Sequence, residues 1–223
     1  SIALAQRRYG IAAIPGAADR GDFHPTSNTV ALAPAGLQGV LPPAALQATF
    51  AQYWRHFTER RDGLQTWDAY TPYEWRTVGA LLRLGERERA LAAADYFLRD
   101  RRPLGWKQWA EVVGRDPRAP RFVGDMPHGW VASDFLRAAV DLFAYEAPER
   151  SAWVLGAGVA PAWLQGQGLA LRALHTPLGP LSYSARRVGA TTTVDIAGGM
   201  RPPAGGLVIA LPGSDAPARA SID

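Results

Sequence analysis

Cysteine is absent from this 223-residue chain. Disulfides and thiolate metal sites are therefore excluded, and the redox compartment is left open. Lysine is nearly absent: Lys107 is the single lysine among 24 basic residues. The arginines are interleaved with acids, as in Glu86-Arg87-Glu88-Arg89, and no basic block forms despite a net charge of +4. A nucleic-acid partner is therefore not expected. The four histidines, His24, His56, His128 and His175, include no His-x-x-x-His pair, so no helical zinc site and no cofactor are expected. No apolar run approaches the ~18 residues of a membrane span. Gly-x-Ser-x-Gly and the P-loop are also missing, and Gly156-Ala157-Gly158 is only a fragment of a dinucleotide fingerprint. The sequence begins at Ser1 without an initiating Met, and no signal peptide is visible in it. Ser1 leads into Ile2-Ala3-Leu4, which reads as a helix already under way, so continuity with an upstream region is expected.

The chain does hold eight tryptophans, five of them between Trp54 and Trp109. It also repeats one kind of turn three times, each carrying an acid, an aromatic or histidine, and a proline before an apolar segment. The turns are Gly21-Asp22-Phe23-His24-Pro25, the stretch from Trp67-Asp68 to Pro72-Tyr73-Glu74-Trp75, and Gly124-Asp125-Met126-Pro127-His128-Gly129-Trp130. Asp22, Asp68 and Asp125 stand 46 and 57 residues apart, about one helical hairpin with its loops. Equivalent turns would gather carboxylates, indoles and imidazoles at one mouth. Such a mouth suits carbohydrate, with acids for glycosidic oxygens and flat rings for stacking on sugars.

Residues 1–148 read as a helical-hairpin domain. Leu46, Phe50, Trp54 and Phe57 recur at helical spacing after Pro42-Pro43. Further helices are expected over 72–84, over 86–101 with Leu91, Ala94 and Leu98 inward, and over 127–146. Asp134, Arg137 and Asp141 fall on the polar face of that last helix. Residues 102–124 read as a long functional loop with Trp106, Trp109 and Glu111. Residues 149–223 read as a small antiparallel β domain, with strands near 152–155, 169–174, 181–185, 191–196 and 206–211. The fold class expected is mainly α with a β module: three hairpins of an (α/α)6 toroid followed by a sandwich-like domain.

The acids carry alternatives. Thr71-x-x-Glu74 with Pro72 between them is the pattern of a capping box, and Glu74 between Tyr73 and Trp75 also suits a catalytic acid. Asp68 precedes the cap and has no local partner. Asp125 reads as a helix N-cap or as a base, with His128 beside it. Asp22 and His24 repeat that chemistry or simply form a turn. Trp67, Tyr73, Trp75, Trp106, Trp109 and Trp130 offer stacking faces or core.

Tyr70-Thr71-Pro72-Tyr73-Glu74 and Gly124-Asp125-Met126-Pro127-His128-Gly129-Trp130 resemble closing segments of bacterial six-hairpin, (α/α)6-barrel glycosidases. Ser133-Asp134-Phe135-Leu136, Val154-Leu155-Gly156-Ala157-Gly158 and Gly179-Pro180-Leu181-Ser182-Tyr183 are similar too. The resemblance covers the C-terminal portion of that family. It implies a bacterial protein, exported before cytoplasmic, that hydrolyses glycosidic bonds of oligo- or polysaccharides. Among the residues here, Glu74 and Asp125 are the first catalytic pair, with Asp68 and Glu111 as substitutes. Substrate contacts are expected from Trp67, Tyr73, Trp75, Trp106, Trp109, Glu111, His128, Trp130, Asp22 and His24. Inversion would require carboxyls about 6.5–9.5 Å apart. A polysaccharide lyase with a His or Tyr base and a non-catalytic sugar-binding module are the alternatives.

Overall fold

The computed structural model describes residues 1–37, 39–66, 69–116 and 124–213. The chain divides into two compact units, residues 1–139 and 140–223. Composition changes after Pro148, whereas the division falls after Ala139.

The first unit opens with α1 (Ile2–Tyr9), ended by Gly10 in the left-handed conformation, and α2 (Pro25–Leu32). Proline at the first turn then starts α3 (Pro43–Arg61), where the missing N–H costs nothing. Its buried stripe is Leu46, Phe50, Tyr53 and Phe57, at spacings of four, three and four. Trp54, expected in that stripe, is half-buried beneath the Arg89 guanidinium. A two-residue strand β1 (Ala69–Tyr70) and the 3-10 turn Pro72–Glu74 lead into α4 (Trp75–Arg83). Gly85, at φ 79°, makes the tight return to α5 (Arg87–Arg99).

α5 presents Ala90, Ala93, Ala94 and Phe97 to the core. Leu98, expected inward, is 47% exposed. The buried positions 90, 93, 94 and 97 define the inward face of the helix, and Leu98 lies beyond its edge. Trp75 is the aromatic hub, with ring centroids 5.5 Å from Phe97, 5.4 Å from Trp109 and 5.0 Å from Phe135. After the 3-10 turn Leu104–Trp106, strand β2 (Val113–Gly114) pairs antiparallel with β1, setting Tyr70 opposite Val113. Helix α6 (Gly129–Phe143) follows, and the division between the units falls inside it.

The second unit holds two three-stranded sheets. Strand β3 (Ala144–Ala147) turns through Pro148–Arg150 onto β4 (Ala152–Leu155). A meander follows: β5 (Leu169–Thr176), β6 (Gly179–Val188) and β7 (Thr191–Ala197), all antiparallel. Finally β8 (Leu207–Ile209) returns to lie parallel to β4. Leu181, Tyr183 and Ala185 alternate inward along β6 and join Trp153, Leu155, Val159, Leu164 and Leu211 in one core. A Cβ at Gly158 would come within 2.6 Å of the Leu142 Cα, so only glycine fits there.

The expected fold class is corrected. The described residues form a mixed α/β arrangement with six α-helices, a two-stranded ladder and two small three-stranded sheets that do not close, not three hairpins of an (α/α)6 toroid with a sandwich. Two physical reasons stand out. The segments behind the three proline turns are unequal: α2 has 8 residues, α4 has 9 and α6 has 15, so they are not equivalent inner helices. Moreover α4 packs on both α2 and α5, which is not a succession of hairpins. In the β region the strand positions were expected, but the parallel β4–β8 pair breaks the antiparallel order. The last helix also ends at Phe143 and its continuation is β3. Among the described residues no helix is long and apolar enough to cross a membrane.

Several phenols are held neutral in these cores. Burial, followed by the Glu74 charge and hydrogen bond, pushes Tyr53 well above its ordinary 10.0. Burial and then the Asp100 charge raise Tyr70, and burial alone pushes Tyr183 up to about 12. A raised folded-state value favours the fold fully below the unfolded value and loses that advantage as pH rises past it. Denaturant unfolding should therefore show stability falling from about pH 10 upward. A flat profile from pH 9 to pH 12 would refute the neutral-phenol account.

Candidate functional site

Tyr73, Glu74 and Trp75 are consecutive, and each is committed to a different place. Trp75 is 2% exposed in the core. Glu74 is also buried, and its carboxylate accepts two hydrogen bonds from Arg60, at 2.8 and 2.7 Å, and one from the Tyr53 hydroxyl at 2.7 Å. The capping box does not form. The Thr71 hydroxyl accepts from the Tyr73 N–H at 3.4 Å, while the Glu74 carboxylate turns to Arg60. Its oxygens are thus engaged by α3, away from the role of proton donor to a substrate.

Tyr73 is half-buried at the edge of a cluster. Glu111, Asp125 and His128 bring one donor atom each to within 4.8 Å of one another. Three backbone features make that meeting possible. The β1–β2 ladder draws the 109–114 segment against the turn at Thr71, and the Thr71 hydroxyl donates to the Glu111 carbonyl at 2.8 Å. The Glu111 N–H donates to the Asp125 carbonyl at 3.0 Å, and the His128 N–H to the Trp109 carbonyl at 2.8 Å. Gly124, at φ 68°, lies so close that a Cβ there would stand 2.7 Å from the Glu111 Cβ.

The aromatic side of the cluster is ordered as well. The Tyr73 hydroxyl lies 2.5 Å from His128 Nε2. Partial burial first, then the Glu111 charge, raises the phenol above its ordinary value. Arg76 opposes this, and Asp134 and Asp125 add to it. The Arg76 guanidinium sits 4.6 Å from the Tyr73 ring centroid and donates to Asp134 at 2.6 Å. Trp130, 71% exposed, stands edge-on to His128 at 6.2 Å and tilted to Tyr73 at 6.3 Å. A polar cluster with a solvent-facing indole beside it offers hydrogen bonds and a stacking face of the kind a polyhydroxylated ligand uses.

The other expected site residues divide clearly. Trp109, 6% exposed, is core like Trp75, so neither offers a stacking face. Trp106 is 66% exposed, in the 3-10 turn after α5. The Asp22 carboxylate accepts from the Ala17 N–H at 2.8 Å, and His24 Nδ1 contacts the Ser27 hydroxyl at 2.8 Å; both serve local turns. Trp67 and Asp68 lie outside the described residues. Asp125 is not a cap: α6 begins at Gly129, and the His128 carbonyl accepts its first bond from Ala132. Asp134 and Asp141, expected on a polar face, are buried. The Glu111–Asp125–His128 triplet was not expected, since its donors come from two loops; the Gly124-to-Trp130 motif was the available signal.

The chain matches no family model, no curated protein and no solved structure.

Glu74→Gln should destabilise the first unit by about 3 kcal/mol, because it removes the carboxylate charge from a partly buried bidentate pair with Arg60. Urea unfolding of variant and wild type measures this. An unchanged midpoint would show that the Arg60 pair contributes nothing to folding.

Proposed function

We propose that this chain acts on carbohydrate and hydrolyses glycosidic bonds with Glu111 and Asp125 as its paired carboxylates. The observation that carries the reading is the approach of these two side chains within 4.8 Å of each other, beside the exposed face of Trp130. Glycoside hydrolysis needs one carboxyl to protonate the leaving oxygen and a second to attack the anomeric carbon or activate water. The pair replaces Glu74 and Asp125, because Glu74 is bound by Arg60 and Tyr53. Its closeness favours retention: retaining carboxyls stand about 5–5.5 Å apart, and an inverting pair needs room for a water between them. Trp130 supplies the stacking face, and His128 with Tyr73 supplies hydrogen bonds to sugar hydroxyls.

A second reading rests on the Tyr73–His128 contact of 2.5 Å. A phenol–imidazole pair can take the C5 proton of a uronate while the C4 oxygen leaves, which is a lyase reaction.

One assay separates the two. Aryl-glycosides and plant and bacterial polysaccharides are incubated with the protein, reading reducing ends and ultraviolet absorbance together. New reducing ends without absorbance are expected, with retained anomeric configuration by proton NMR. Glu111→Gln and Asp125→Asn should each lower turnover at least about 100-fold. Unsaturated, absorbing product would transfer the reading to the lyase. No cleavage of any substrate, or full activity in both variants, would remove hydrolysis by this pair.

A further inference from the structure

Two carboxylates at this separation repel each other unless something positive stands between or beside them. Among the described residues neither Glu111 nor Asp125 forms an ion pair. Arg76, close by on the face of Tyr73, is paired with Asp134 instead. The cluster thus brings together two formal negative charges and an imidazole, and among the described residues no arginine or lysine is ion-paired to either carboxylate. The third member, His128, is also held as metal-binding histidines are held. One ring nitrogen, Nε2, is engaged by the Tyr73 hydroxyl, which fixes the ring and leaves Nδ1 as the free donor. A hydroxyl can donate or accept, so the contact survives whichever nitrogen carries the proton.

We propose that Glu111, Asp125 and His128 bind one divalent first-row cation of the zinc or manganese type. The donor set fits that class: two carboxylate oxygens and one imidazole nitrogen satisfy borderline ions, whereas a calcium site is built from six to eight oxygens. The geometry is near that of a bound state. Ligand atoms on a tetrahedral zinc at about 2.1 Å lie roughly 3.4 Å apart. Donor atoms already within 4.8 Å of one another need only side-chain rotations of the three residues to reach that spacing. The exposure of Asp125 leaves the remaining coordination positions open to water or to ligand oxygens. An ion there occupies the lone pairs that would handle a proton. The cation is therefore an inhibitor of the proposed hydrolysis, a consequence that rests on that reading; the binding itself does not.

The test is calorimetric titration of the metal-stripped protein with zinc chloride, repeated with manganese chloride. Wild type, Asp125→Asn and His128→Ala are compared, and circular dichroism confirms that each variant is folded. One ion per chain is expected for wild type, with affinity at least tenfold weaker in Asp125→Asn, whose side chain is exposed and whose substitution leaves the core untouched. Absence of saturable binding to either ion would overturn the proposal. So would variants that bind as wild type does, since the ligands would then be other residues. Hydrolysis assays on the stripped protein keep the two readings apart. Ion binding without hydrolysis leaves the cation site standing and removes the hydrolase, and hydrolysis without ion binding does the reverse.

Discussion

A carboxylate taken out of water must be matched by charge and hydrogen bonds, and Glu74 is matched by Arg60 and Tyr53. That requirement fixes the C-terminal half of α3 against the first turn of α4. It also fixes the residues on either side of Glu74. Trp75 is set into the core, where it meets Phe97, Trp109 and Phe135, and Tyr73 is set toward His128. Core and candidate site are thus joined through three consecutive residues, and disturbing the middle one disturbs both.

The candidate site is assembled from segments that contribute little regular structure. β1 and β2 are two residues each, yet their pairing sets the Thr71 turn beside Glu111. The Gly124 loop then lays Asp125 and His128 alongside through main-chain bonds to Glu111 and Trp109. Backbone hydrogen bonds, not helix ends, therefore place the acids. This leaves the carboxylates free of local capping partners. The two chemistries proposed for the cluster both draw on that freedom, one toward a sugar oxygen and the other toward a cation.

Much of the helical pattern was legible in the sequence. Leu46, Phe50 and Phe57 recur at a period that only a helix buries on one side, and Pro43 and Gly85 mark a start and a stop through their backbone preferences. Strands expected near 152–155, 169–174, 181–185, 191–196 and 206–211 overlap those observed, whereas β3 falls where the last helix was expected to continue. What escaped depends on partners distant in sequence. Asp134 reads as a surface acid on its own helix, but it is buried against Arg76, 58 residues upstream. Glu74 reads as a cap or a catalyst because Arg60 and Tyr53 belong to another helix. Within the site, His128 and Asp125 shared a visible motif, whereas Glu111 lay in a loop whose β1 pairing no periodicity announces. The toroid expectation failed likewise, since similar turns do not guarantee helices of similar length behind them.

The parallel pairing of β4 with β8 bears on the order in which the second unit can be completed. Trp153 is matched to Leu207 across the whole β5–β7 meander, while β3 and β5 through β7 find their partners a few residues away. Local hairpins close with little loss of chain entropy, and a long loop closes at greater cost and more slowly. On a ribosome, β4 therefore waits with one edge open until residues 207–209 have emerged. Leu211, two residues later, completes the same core.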